Sequence, residues 1–117
     1  PHEKVIQTVE ELLLKHNLNP TIIWDDSAQG FLTDNQHLQN TLSQAIQENT
    51  SQIPKPSTSG GTSDARFFAF QNIPVIEFGP INATIHAANE YIPSADLAPL
   101  TSIYQTFLRN YLENPNS

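Results

Sequence analysis

The sequence has no cysteine and few positive charges. Without cysteine it has neither a disulfide framework nor a thiolate zinc site, which suits a protein of the cytoplasm. Five Lys and Arg stand against twelve Asp and Glu, a net charge of −7, and no basic run interrupts this balance. Because such a surface repels phosphates, we expect no nucleic acid and no membrane as a partner.

Long apolar runs are also missing. No stretch approaches the ~20 apolar residues that a membrane-spanning helix needs, and no charged and then apolar leader opens the sequence. Hydrophobic residues make up 38% of the 117 residues, which is enough for a modest core.

Apolar residues recur at helical spacing in three stretches, which predict three amphipathic helices. The first should end at Asn17, and the second should be capped by Asp34 or Asn35. The last should begin after Asp96, because Pro99 then lies in its first turn, where the missing N–H costs nothing. The apolar positions are Val5, Ile6, Val9, Leu12 and Leu13; Leu38, Leu42, Ala45 and Ile46; and Leu97, Leu100, Ile103, Tyr104, Phe107, Leu108, Tyr111 and Leu112.

Two short segments, 21–24 and 75–78, are rich in β-branched and aromatic residues and predict strands. Between them, Asp64 is placed to cap a short helix. The first helix followed by the strand at 21–24 is half of a split βαβ unit. The predicted core includes the phenylalanines Phe67, Phe68, Phe70 and Phe78.

Residues 57–89 are the part of the sequence that packing alone does not explain. Gly60 and Gly61 offer backbone N–H groups next to a helix N-terminus, which together form a seat for a carboxylate, although a plain loop has the same pattern. His86 follows the end of an apolar strand, where it is either a metal ligand or an ordinary loop histidine. The other histidines have no ligand-like spacing and are assigned to the surface: His2, His16 and His37.

Three motifs in this stretch carry a resemblance to a known family. They are GGTSDAR at 60–66, EFGP at 77–80 and NATIH at 82–86, followed by Asn-Glu at 89–90. Together they resemble the C-terminal part of the succinyl-diaminopimelate desuccinylase family, within the aminoacylase and carboxypeptidase superfamily of dinuclear zinc hydrolases. The resemblance implies an α/β fold: 34–117 would be the C-terminal part of the catalytic domain, with helices packed on a β-sheet. Residues 1–33 would be the last helix and strand of a small lid and dimerisation domain.

The resemblance also implies roles for single residues. His86 would bind one of two zinc ions, which cobalt can replace, and Glu90 would either support its imidazole or lie at the rim of the site. Gly61 and Thr62 would contact a substrate carboxylate, with Ser59, Ser63, Asn82 and Arg66 as further substrate contacts. Asn82 and Thr84 would also shape the loop that aims His86. Arg66 is equally suited to stabilise Asp64 or Glu77 by an ion pair. The family's general base and remaining ligands have no counterpart in these residues, since Glu10 and Glu11 lie on the solvent side of the first helix.

The implied reaction is hydrolysis of N-succinyl-LL-2,6-diaminopimelate to succinate and LL-2,6-diaminopimelate by zinc-activated water, in bacterial lysine and diaminopimelate synthesis. Members of the family are cytoplasmic homodimers about three times this length, so we expect a fragment that is inactive alone. Two alternatives stay open. One is a related deacylase such as acetylornithine deacetylase, and the other is a non-catalytic dimerisation module.

Overall fold

The computed structural model describes residues 2–25, 30–59, 63–81 and 83–114. Internal contacts divide the chain into two units, Pro1–Leu32 and Thr33–Ser117. Every buried side chain in the described ranges belongs to the second unit. Within the same ranges, no helix is both long enough and apolar enough to cross a membrane.

Helix α1 spans His2–Lys15 in the first unit, as its apolar spacing predicts. Asn17 follows it in the left-handed conformation, with φ 54°, and the amide of Leu18 donates to the carbonyl of Leu13 at 2.9 Å. This bond satisfies one of the carbonyls that the last turn of a helix leaves unpaired. None of the residues of α1 is buried, so its apolar stripe is only partly covered within this unit.

Helix α2 spans Gln36–Thr50, and of its two candidate caps the structure uses Asn35. The Asn35 side chain accepts a hydrogen bond from the amide of Leu38 at 2.7 Å, which satisfies one free donor of the first turn. The residue after the helix, Ser51, has a left-handed backbone conformation with φ 57°. The buried residues of α2 are Leu38, Thr41, Leu42, Ala45 and Ile46.

Two further helices complete the second unit. Helix α3 is short and spans Ala65–Ala69. A single 3-10 turn, Ser94–Asp96, leads directly into helix α4, which spans Leu97–Glu113. Pro99 is the third residue of α4, as predicted, where its missing N–H leaves no helical hydrogen bond unmade.

Helices α2 and α4 pack against each other around a small core, called the α2/α4 core below. It consists of Leu42, Ala45, Ile46 and Ile103. The half-buried side chains of Ile76, Phe78 and Phe107 pack against it. A polar contact also joins the helices, because Asn49 Nδ2 donates to Thr106 Oγ1 at 3.0 Å. The core of this unit is therefore a helix–helix interface.

The prediction of helices packed on a β-sheet is wrong. None of the described residues forms a strand, so the segments 21–24 and 75–78 are both irregular. A strand must pair its backbone with a neighbouring strand, and no backbone ladder reaches 75–78 from the rest of the described chain. Two side-chain hydroxyls bond to backbone carbonyls of this segment instead. Thr33 donates to the carbonyl of Val75, and Tyr104 donates to the carbonyl of Phe78.

The phenylalanines in and directly after α3 are not core residues, contrary to the prediction. Phe67 and Phe68 are each 56% exposed and Phe70 is 45% exposed, whereas Phe78 does pack against the α2/α4 core. Successive helix residues point about 100° apart. Phe67 and Phe68, which are adjacent in α3, therefore face different directions, and Phe70 lies just beyond the end of this helix.

His37 was predicted to lie on the surface, and that prediction is also wrong. Its ring is half-buried and stacks on Tyr111, with 5.1 Å between ring centroids, and Tyr111 stacks on Phe107 at 5.5 Å. The Nε2 atom of His37 is buried and has no hydrogen-bond partner among the described residues.

Candidate functional site

The loop before α3 contains Ser59, a predicted substrate contact, in an exposed position. Its hydroxyl lies 2.6 Å from that of Ser57, and its amide donates to the Ser57 hydroxyl at 2.9 Å. One hydroxyl proton is used between the two side chains, which leaves the other free to reach a ligand oxygen. Gly61 and Thr62 lie outside the described residues, so their contact with a substrate stays a prediction.

The start of α3 is capped by a residue other than the one predicted. Asp64 has helical dihedral angles, φ −69° and ψ −9°, and its carboxylate makes no capping hydrogen bond. The hydroxyl of Ser63 accepts from the amide of Ala65 at 3.0 Å instead. A serine next to an aspartate at a helix start could have indicated this, since both side chains are good caps.

Arg66 is half-buried and lies against an aromatic ring. Its guanidinium carbon is 4.8 Å from the ring centroid of Phe67, a cation–π contact. Among the described residues it forms no ion pair, so the expected pairing with Asp64 or Glu77 is not found there. A ring contact uses none of the N–H donors of a guanidinium in an ion pair, and these donors fit a carboxylate bidentately.

The loop 83–91 carries His86. This residue is exposed and has φ 62°, the left-handed conformation that side chains other than glycine seldom adopt. The hydroxyl of Thr84 bonds both backbone groups of Tyr91, at 2.8 Å to the carbonyl and 3.0 Å to the amide. Glu90 is exposed and forms no hydrogen bond with the imidazole, and Asn82 lies outside the described residues.

Comparison with known proteins decides the family. The sequence profile of peptidase family M20/M25/M40 matches residues 6–110, which is most of the chain. The chain belongs to this family. The resemblance read from the motifs at 60–66 and 82–86 is thereby confirmed.

Several relatives of this M20 chain carry one name. It is 41% identical over 110 residues to a protein of Halorhodospira halophila named succinyl-diaminopimelate desuccinylase. It is 46% identical over 110 residues to proteins of that name from two strains of Acinetobacter baumannii. Each match covers 94% of this chain, and the chain spans about 29% of the length of these relatives.

M20 peptidases generally use metal ions, usually zinc. Within the described ranges no group of three or more His, Cys, Asp or Glu side chains converges on a metal position. The imidazole of His86 is exposed and makes no hydrogen bond with a described residue, so its ring nitrogens are accessible to an ion. Zinc accepts neutral imidazole but needs three or four ligands. His86 therefore fits as one ligand and not as a complete site.

Those predicted site residues that the structure describes are not assembled by direct contacts. Ser59, Arg66 and His86 share no hydrogen bond or ring contact within the described part of the chain. None of them lines the cavity of about 300 Å³ beside the α2/α4 core. That cavity is lined by Leu42, Ile76, Glu77, Phe78, Tyr104 and Phe107. In the described part of the chain, the candidate residues thus lie on separate elements: Ser59 and His86 on two exposed loops, and Arg66 in α3.

Proposed function

We propose that the polypeptide containing this sequence hydrolyses N-succinyl-LL-2,6-diaminopimelate to succinate and LL-2,6-diaminopimelate. The observation that carries the proposal is the 41–46% identity, over 94% of the chain, to relatives named for that reaction. The motifs at 60–66 and 82–86 lie within the matched residues. They are also the part of the sequence that packing in the second unit does not explain.

In this proposal His86 binds one of two zinc ions, which cobalt can replace. Bound zinc supplies Lewis-acid activation of a water molecule for attack on the amide. An exposed imidazole on a closed loop is suited to this role, because a ligand at a loop tip can reach an ion held by other parts of the protein.

The remaining roles concern the substrate carboxylates. We assign substrate contacts to Ser59, Gly61, Thr62, Arg66 and Asn82. Two of these are supported by described geometry: the Ser57–Ser59 hydroxyl pair has a free proton to donate, and the guanidinium of Arg66 forms no ion pair with a described carboxylate. Glycine at 61 allows a ligand to approach the backbone closely.

The proposal extends to the whole protein. Residues 1–33 would belong to a lid and dimerisation domain, and 34–117 to the catalytic domain. The complete protein would be a cytoplasmic bacterial homodimer in lysine and diaminopimelate synthesis. The 117-residue chain alone would be inactive, since a single imidazole does not hold a catalytic zinc ion.

The test is an assay of the full-length polypeptide on N-succinyl-LL-2,6-diaminopimelate and on N-acetylornithine. We expect turnover of the first, and a His86→Ala variant should lose at least about 100-fold in kcat/KM. Changes around a metal ligand typically cost 10–100-fold, and removal of the ligand itself should cost no less. His16→Ala is the matched control, because His16 is an exposed histidine in the first unit.

Three results would contradict the proposal. Faster turnover of N-acetylornithine than of N-succinyl-LL-2,6-diaminopimelate would indicate that the protein is one of the related deacylases. Unchanged activity of the His86→Ala variant would remove His86 from the site. Zinc binding by the isolated 117-residue chain tighter than micromolar, measured by calorimetry and abolished by His86→Ala, would mean that other ligands in this chain converge on His86.

A further inference from the structure

The loop that carries His86 is held closed by a single side chain. The hydroxyl of Thr84 donates to the carbonyl of Tyr91 at 2.8 Å and accepts from the amide of the same residue at 3.0 Å. These residues are seven positions apart, so the two bonds join the ends of the loop 84–91. Both the proton and a lone pair of one hydroxyl are used.

The backbone of Thr84 tightens the same loop around His86. The amide of Ala87 donates to the carbonyl of Thr84 at 3.0 Å, which closes a four-residue turn with His86 at its third position. His86 has φ 62° there. Thr84 therefore fixes the loop at two points, Ala87 and Tyr91, which both follow the residue that carries the imidazole.

The contribution of these bonds is to geometry more than to stability. Tyr91 is 66% exposed, so water can replace the hydroxyl at both of its backbone groups when the loop opens. The direction of the His86 ring, by contrast, depends on where the turn sits. A functional side chain must be held within about 0.5 Å of its productive position.

We propose that Thr84 is a positioning residue that aims His86 at the metal ion through its two hydrogen bonds to the Tyr91 backbone. This inference rests on the proposed function, in which His86 is a zinc ligand. It requires the hydroxyl and not the bulk of threonine. A serine at position 84 should therefore keep His86 positioned, whereas a valine, which has the same shape as threonine but no hydroxyl, should not.

The first test loads the full-length polypeptide with cobalt(II) in place of zinc. Cobalt affinity is measured by competition with a chelator, and the visible spectrum reports the arrangement of the ligands. We expect Thr84→Val to weaken one of the two ions about tenfold, the lower end of the effect of groups that orient a ligand, and to change the spectrum. Thr84→Ser should retain wild-type affinity.

Two controls separate this inference from the proposed function. Thr101→Val removes a hydroxyl that bonds only the carbonyl of Leu97 within its own helix, at 2.8 Å, and should leave cobalt binding unchanged. His86→Ala should lose one ion. If His86→Ala loses an ion while Thr84→Val binds both as the wild type does, the role of Thr84 is refuted and the function stands. If His86→Ala keeps both ions, the ligand assignment itself fails.

A second measurement does not depend on metal. In the 117-residue chain, hydrogen exchange of the Tyr91 amide should be at least several-fold faster in Thr84→Val than in the wild type, and unchanged in Thr84→Ser. Equal exchange rates in all three proteins would show that the hydroxyl does not close the loop, which would overturn the inference.

Discussion

Replacing Ile103 with alanine should destabilise the second unit more than any other single truncation on α4. Ile103 is 4% exposed and is the one described residue of α4 that is buried. Its side chain packs among the three α2 residues of the α2/α4 core. Losing it removes the contribution of α4 to that core.

The expected magnitude follows from what surrounds the side chain. Truncating a buried isoleucine to alanine typically costs about 2–5 kcal/mol, and the cost rises with the volume of cavity left behind. Here the half-buried side chains of Ile76, Phe78 and Phe107 adjoin the site and an existing cavity of about 300 Å³, so partial collapse is available. We therefore expect about 2–3 kcal/mol. For a unit of this size, that corresponds to a fall in Tm of roughly 10–20 °C.

Urea unfolding followed by far-UV circular dichroism would measure this change, because α2 and α4 supply most of the helical signal of the second unit. Leu112→Ala is the matched control on the same helix, since Leu112 is 73% exposed and surface changes usually stay within about 0.5 kcal/mol. Equal losses in the two variants would refute the reasoning, because burial at Ile103 would then make no difference.

Two further changes test α2. Asn35→Ala should lower the free energy of unfolding by about 1 kcal/mol, as the loss of a capping side chain typically does. Asn35→Asp, which keeps a capping oxygen, should be close to wild type. An Asn35→Ala variant as stable as the wild type would mean that the bond to the Leu38 amide contributes nothing. His37→Phe should raise the free energy of unfolding by roughly 1 kcal/mol, because phenylalanine keeps the stack on Tyr111 and removes a buried nitrogen that has no described partner. Lower stability of His37→Phe in thermal unfolding would indicate that the imidazole is hydrogen-bonded after all.

The helices could be predicted from sequence because their signals are local. The apolar spacing of α2 and its Asn35 cap lie within one segment, and the place of Pro99 in α4 follows from the geometry of a single turn. Which faces become buried depends on distant residues. Of the eight apolar positions predicted for α4, only Ile103 is buried within the core formed with α2, and Phe107 packs against that core while half-buried.

The absence of strands from the described residues could not be predicted from local signals in the same way. Val75 and Ile76 have the side chains typical of a strand, yet a strand exists only when another one pairs with it, and the described residues provide none. The hydroxyls of Thr33 and Tyr104, which bond the carbonyls of this segment, lie 42 and 26 residues from their acceptors. No local sequence pattern predicts contacts between residues so far apart in the chain.

The features of the candidate site also divide into those that the sequence predicted and those that only the structure shows. Motif resemblance pointed to His86 and to the glycine loop, and the family that it implied is confirmed. That the Thr84 hydroxyl bonds both backbone groups of Tyr91 became evident only from the structure. Ser63 took the capping role predicted for Asp64, although both residues are good caps.

The ends of three helices have a consequence for the unfolded chain. Asn17, Ser51 and Asn72 follow α1, α2 and α3 in left-handed conformations, with φ between 54° and 59°. Glycine is the commonest residue at such helix ends, and other residues bear about 1–2 kcal/mol of steric strain there. A glycine, however, would give the denatured chain more conformational freedom to lose on folding. The two effects oppose each other, so substituting glycine at these ends would change the balance between folded and unfolded states far less than relief of strain in the native structure alone suggests.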